Sequence, residues 1–212
     1  MSAGKFIGLL ICVAIGSYLI GSINCSILIS KIFKKDVRQV GSGNAGATNM
    51  VRAFGPAVGV LTMLGDFLKT LVALLATKFL FADAEYWQAM IAFSGFFCSM
   101  GHAFPLYFNF KGGKAVTVVG MVFLVVDWRC FAIGITVFLV TVLLTRFVSL
   151  GSMLAGISGP ITMFFVCNDN LMNRWFVVVS LAALAVMVIL LHFANVKRLL
   201  SGTERKFSFK KD

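Results

Sequence analysis

The sequence predicts an all-α, polytopic membrane helix bundle of about seven transmembrane helices, with the N-terminus outside and the C-terminus cytoplasmic. Three observations carry that reading. Of 212 residues, 59% are hydrophobic and only 13% charged, and mean hydropathy is +0.96, against roughly 45–50% apolar and 25% charged in soluble domains. The apolar residues fall in runs close to the roughly 20 residues a helix needs to cross a bilayer. The nineteen Lys and Arg residues gather in alternate connections, the pattern that orients a multi-pass chain.

Taken in order, helices are expected near 6–29, 56–82, 87–104, 115–126, 129–145, 149–167 and 175–193, from the apolar runs and their polar interruptions. The first run lacks a small-residue cleavage site and continues into a polar motif, so it is expected to be retained rather than removed as a signal. The second contains Asp66 and Lys69. Ions inside a span are usually functional or paired, and both readings stay open. The fourth is short: about 12 residues rise roughly 18 Å, less than a hydrocarbon core of about 30 Å. Either it is a half-span, or Asp127-Trp128-Arg129 lies within the membrane on a longer broken element, leaving five or six spans with one re-entrant pair. A single domain over 1–212 accounts for all of it.

With seven spans, the cytoplasmic segments hold fourteen basic residues: Lys31, Lys34, Lys35, Arg38, Arg52, Lys111, Lys114, Arg146, Lys197, Arg198, Arg205, Lys206, Lys210 and Lys211. The outside segments hold Lys5, Arg129 and Arg174, and Lys69 and Lys78 belong to the second span. The outside turns also carry Asp83, Glu85, Asp127 and Asp169. The formal charge of +11 is divided among short segments rather than collected on one soluble face, which argues against nucleic acid. Anionic headgroups or an anionic substrate fit better. The five cysteines lie in or beside apolar runs, in odd number and without a CxxC pair, and read as packing residues rather than a disulfide framework.

Four polar segments are too specific to be passive connectors. GSGNAGATNMVRAFG brings Gly41, Gly43 and Gly46 together with Ser42, Asn44, Thr48 and Asn49, and sets Arg52 three residues beyond. Backbone N–H groups of a glycine-rich turn form an anion-binding concavity, and arginine adds a planar fork for phosphate oxygens. GHAFPLYFNFKGGKAVT places His102 at a span end and then Lys111-Gly112-Gly113-Lys114 at the start of the next apolar run, where a helix N-terminus favours an anion; the lysines alone also serve as span anchors. TRFVSLGSM offers Arg146, Ser149 and Ser152 at a helix start, where serine commonly caps. HFANVKRLLSGTERKF sets His192 and Asn195 three apart, on one helical face. No metal-ligand spacing, Walker A loop or GxSxG elbow is present. What remains is several anion-binding elements on one membrane face, with scarcely any candidate general base.

In that order, YLIGSINCSILISK, GSGNAGATNMVRAFG, GHAFPLYFNFKGGKAVT, TRFVSLGS and the closing H-x-x-N-x-x-R-L resemble the bacterial acyl-phosphate:glycerol-3-phosphate acyltransferases of the PlsY family, over nearly the whole chain. The resemblance implies a seven-helix enzyme of the bacterial plasma (inner) membrane, its active site facing the cytoplasm. Such an enzyme moves an acyl chain from acyl phosphate to the 1-hydroxyl of glycerol 3-phosphate without a cofactor or metal, giving lysophosphatidic acid and phosphate. It implies catalytic roles for Ser149, His192 and Asn195. Substrate binding would fall to Ser42, Gly43, Asn44, Thr48, Asn49, Arg52, His102, Lys111, Gly112, Gly113 and Lys114. Similar proteins are thought to use a substrate phosphate as the base, which would explain a missing carboxylate. The chain departs from the usual pattern at Ala115 and Thr117-Val118, at Asn24, where proline is common, and at Leu191, where arginine is. A transporter of phosphorylated small anions is the competing reading, since intramembrane ions also mark transport pathways.

Overall fold

The computed structural model describes residues 2–167 and 171–207; Asp169, Lys210 and Lys211, counted above, lie outside them. Every regular element among the described residues is a helix: α1 (Ala3–Gly21), α2 (Cys25–Ile32), α3 (Ala47–Phe54), α4 (Pro56–Leu80), α5 (Trp87–Ala103), α6 (Val116–Val126), α7 (Trp128–Thr145), α8 (Val148–Val166), α9 (Leu171–Leu191) and α10 (Phe193–Leu200). Six stretches among them are long and apolar enough to cross a membrane, the first running unevenly from Ala3 to Ile32 and the third extending through Phe108. All seven expected segments are helical. The fourth, α6, has 11 residues.

The short α6 is an unbroken helix that ends where α7 begins. Asp127 closes α6 and caps α7, accepting the Arg129 backbone N–H at 2.8 Å. Two sets of contacts fix the depth of α6. At one end the Gln88 side chain of α5 donates to the Val126 carbonyl at 3.0 Å. At the other, Gly113 and Gly112 donate to the carbonyls of His102 and Ala103, each at 3.1 Å. So α6 runs antiparallel to α5 over the same depth, about 16 Å of helix rise, because the connection after Ala103 folds back into the bundle before α6 begins. Apolar on every side, α6 is the helix the others enclose: Val118, Val119, Val122, Phe123 and Val126 are all buried.

The expected first helix is broken. α1 stops at Gly21 and α2 starts at Cys25, its first turn capped by the Asn24 side chain, which accepts the Ile27 N–H at 3.1 Å. A break at membrane depth leaves carbonyls without helical partners, and bare carbonyls in hydrocarbon cost several kcal/mol each. Lys69 of α4 meets them, donating from Nζ to Gly21 O at 3.1 Å and Ile23 O at 2.6 Å. The same Nζ lies 2.8 Å from Asp66 Oδ1 and 3.0 Å from His102 Nδ1. All three side chains are buried, so the intramembrane ions pair with each other and hold the α1–α2 break.

Removing only one partner leaves an uncompensated buried charge, at about 3–5 kcal/mol. Lys69→Met should therefore lower stability by that much, whereas Asp66→Leu/Lys69→Met together should lose less despite freeing two carbonyls. Thermal unfolding in detergent checks it; a double variant as damaged as the sum of its parts would show that the pair is not coupled.

Candidate active site

The polar connections converge on one cavity of about 780 Å³, lined from α3, α4, α6, α7, α8, the α9–α10 junction and the segment after α10. Its wall includes Ser42, Gly43, Asn44, Thr48, Asn49, Arg52, His102, Gly112, Lys114, Ser149, His192 and Asn195, twelve of the residues expected from sequence. Lys111 is exposed and is not in the lining; Gly113 lies just behind it, against the His102 ring and the Ala45 carbonyl, where no side chain fits.

The first loop is shaped by Asn49. Its amide donates to the carbonyls of Val37 at 3.0 Å and Val40 at 2.9 Å, and its carbonyl accepts the Ser42 N–H at 3.0 Å. All of that side chain's donors are thus spent on backbone, and Asn49 holds the loop rather than reaching a ligand. Gly41 and Gly43 have φ of +57° and +72°, a left-handed path that glycine follows without strain. Arg38 joins this loop to the second, bonding Asp36 and donating to Phe108 O at 3.2 Å. Arg52 is half-buried, lines the cavity and has no hydrogen-bond or ion-pair partner among the described residues, so its guanidinium is free for an anion. Ala115, the N-cap of α6, has φ of +56°, a conformation costly for a residue with a β-carbon.

At the opposite wall stands a carboxylate the sequence reading passed over. Glu204 lines the cavity and accepts from Ser149 Oγ and Asn195 Nδ2 at 2.6 Å each through Oε1, and from Arg198 Nε at 2.7 Å through Oε2. Burial raises its carboxyl, but these three hydrogen bonds outweigh burial and hold it below the usual range, so it organises the wall and is a weak proton acceptor. A carboxylate so held adds no strong general base to the site. The signal was available: Glu204 is the one acid in HFANVKRLLSGTERKF. Arg198 and Arg205 also line the cavity and were read only as topogenic charge.

Lys114 donates to Asn195 Oδ1. His192 donates from Nδ1 to the Val188 carbonyl at 2.8 Å, which fixes the ring and leaves Nε2 as an acceptor. Four cations, Arg52, Lys114, Arg198 and Arg205, thus border one cavity whose lining holds two carboxylates, Asp66 and Glu204, each already salt-bridged. Burial, with Arg198 and Arg52 nearby and Glu204 opposing, pushes the Lys114 ammonium down to about 8. The arrangement suits doubly charged phosphate groups. Beyond it the lining turns apolar, with Phe67, Phe123, Phe131 and Phe138.

Residues 11–202 match the family model described as glycerol-3-phosphate acyltransferase. Glycerol-3-phosphate acyltransferases of Trichlorobacter lovleyi and Listeria monocytogenes are each 39% identical, over 91% and 94% of this chain and 94% and 98% of theirs. Among solved structures, the integral membrane glycerol 3-phosphate acyltransferase PlsY superposes in its glycerol 3-phosphate form with a TM-score of 0.84 at 34% identity, covering 94% of this chain and 96% of that one. Its lysophosphatidic acid form gives 0.83 at 32% identity.

Because Lys114 titrates near 8, its cation is present below that value and is lost as pH rises through it. Inorganic phosphate, whose dianion share only grows as pH rises, should still bind up to about ten-fold more weakly at pH 9 than at pH 7.5, the scale of one charged hydrogen bond. Lys114→Arg should flatten the profile, since arginine keeps its proton. Titration calorimetry decides; an equally steep profile in Lys114→Arg would remove Lys114 from the phosphate site. The linkage runs the other way for folding: the folded state holds this proton less tightly than the unfolded, so stability rises between about 8 and the ordinary lysine value.

Proposed function

The chain belongs to the glycerol-3-phosphate acyltransferase family, and on that premise we propose that its acyl donor is an acyl phosphate and its product the 1-acyl lysophosphatidic acid. That it is a membrane-embedded glycerol-3-phosphate acyltransferase follows from the family. The donor and the roles of the residues are supported by one observation above all: a single cavity joins four cations, enough to face two phosphate groups, to an apolar arm.

The reaction needs little from the protein beyond position and charge. The glycerol 3-phosphate hydroxyl oxygen bonds to the acyl carbon, the carbon–oxygen bond to phosphate breaks, and phosphate leaves with that electron pair and takes up the hydroxyl proton. An acyl phosphate is already activated, so holding both partners in line and stabilising the developing charge replace a covalent intermediate. Arg52, with the Ser42 side chain and the Asn44 backbone, is assigned to one phosphate, while the Gly43 N–H is held by Val40 O. Lys114 is assigned to the other, with Thr48 between them; the Ser149 hydroxyl donates to Glu204 and the Gly112 N–H to Ala103 O, so these two shape the wall around the phosphates. His192, through Nε2, and Asn195 are assigned to orient the glycerol hydroxyls. In the transport alternative Asp66 and Lys69 would serve a pathway, but they are spent on each other and on backbone carbonyls. The charge distribution supports an active site on the cytoplasmic side of a bacterial inner membrane, with the chain acting as one domain.

Three measurements test this. Purified protein given palmitoyl phosphate and labelled glycerol 3-phosphate should form lysophosphatidic acid and phosphate, and palmitoyl-CoA should not substitute; equal turnover with the thioester refutes the donor. Arg52→Lys keeps the charge but loses the fork, so the rate should fall about ten-fold or more, as expected for roughly 1.5–3 kcal/mol of charged hydrogen bonding. Wild-type kinetics in that variant would reduce Arg52 to a topological charge. Cysteines placed in the Gly41–Gly46 loop and after Phe207 should label only from the cytoplasmic side.

A further inference from the structure

Three glycines, Gly120 on α6, Gly134 on α7 and Gly156 on α8, line the apolar part of the cavity. Helix packing does not demand glycine at any of them. A β-carbon would meet its nearest neighbour at 3.8 Å (Phe131) at Gly120, 3.6 Å (Phe123) at Gly134 and 3.7 Å (Val188) at Gly156, all ordinary contacts. Gly159, three residues beyond Gly156, is the contrast: the Phe123 ring lies on it and leaves no room for a side chain. Glycine inside a helix costs about 1 kcal/mol relative to alanine. Where neighbours do not require it, what it supplies is open volume.

Phe123 closes that volume. It is 3% exposed, with one edge on Gly159 and another towards Gly134, so its ring is wedged between α7 and α8 at the end of the arm. From Val116, the first residue of α6, to Phe123 is seven residues, about 10 Å of helix rise, so the floor stands a fixed distance below the phosphate cations. The part of the ligand that enters must be apolar and unbranched enough to pass between aromatic rings.

Resting on the acyl phosphate reading above, we propose that Gly134 and Phe123 are chain-length determinants: Gly134 keeps the arm open, and the Phe123 ring is the floor against which the donor's acyl chain is measured. The two act in opposite directions. Leucine at 134 fills the arm and penalises long chains, whereas a smaller residue at 123 lowers the floor and favours them. Each methylene gained or lost in an apolar pocket is worth about ten-fold or more in specificity, so the effect is large enough to read in rates.

The experiment measures initial rates with octanoyl, dodecanoyl, palmitoyl and stearoyl phosphate at saturating glycerol 3-phosphate, in membranes matched for protein. In Gly134→Leu the palmitoyl-to-octanoyl rate ratio should fall about ten-fold or more relative to wild type, and in Phe123→Val the stearoyl-to-dodecanoyl ratio should rise. Gly120→Leu, on the neighbouring wall, gives the same decision should Gly134→Leu fail to insert. Ratios unmoved in variants that turn over any donor overturn the ruler while leaving the donor reading intact. Wild-type protein inactive with every acyl phosphate overturns the donor reading, and the ruler with it.

Discussion

The Lys69 ammonium is the point on which the bundle depends. It reaches Gly21 O and Ile23 O of the α1–α2 break, Asp66 on its own helix and His102 Nδ1 on α5. An ammonium has three protons, so four neighbours within about hydrogen-bond distance share them. Taking a charge out of water is expensive, and only a full set of partners offsets it. Without Lys69 the break would leave bare carbonyls in the membrane; without the break Lys69 would lack partners. The two features require each other.

The influence of this cluster extends to the site through His102. Its ring is held from one side by Lys69, and Gly113 packs on the other, while its carbonyl anchors the Gly113 N–H. The Gly112–Gly113 backbone, and Lys114 after it, thus take their positions from a buried ion pair on α4. His102 reads in sequence as a ligand to substrate. In the fold it both lines the cavity and positions the loop that carries Lys114.

The membrane helices were legible because hydrocarbon allows few alternatives: apolar runs of spanning length become helices. The glycine-rich loop was legible because glycine follows the left-handed path at Gly41 and Gly43 without strain. The break after Gly21 was not, since Gly-Ser-Ile-Asn within an apolar run reads as tolerable helix until Lys69, almost fifty residues away, is placed beside it. Nor was the depth of α6, which depends on how far the 104–115 connection folds inwards. Glu204 was passed over because an acid among basic residues reads as a surface charge, and only the return of the segment after α10 to the α7–α8 turn, with Phe207 N–H on Arg146 O at 2.7 Å, brings it to Ser149 and Asn195. Lys111 shows the converse: it sits in the right motif, yet Lys114, three residues on and just ahead of α6, is the lysine that enters the cavity.

The length of α6 follows from the chemistry. One substrate of this family is soluble and the product is a lipid, so the reacting groups must meet at the level where headgroup phosphates give way to chains. A full-length α6 would start at the membrane surface and carry Lys114 out into water, where a lysine has little hold on phosphate. By folding the 104–115 connection back along the last turn of α5, the chain lowers the start of α6 into a less polar setting, which is also what strips Lys114 of part of its proton affinity. The four cations outnumber the two salt-bridged carboxylates of the lining, Asp66 and Glu204, and repel one another, a repulsion that an anion would relieve. The recess therefore sets the cationic end of the cavity beside its apolar arm, an arrangement suited to an anionic group attached to an apolar chain.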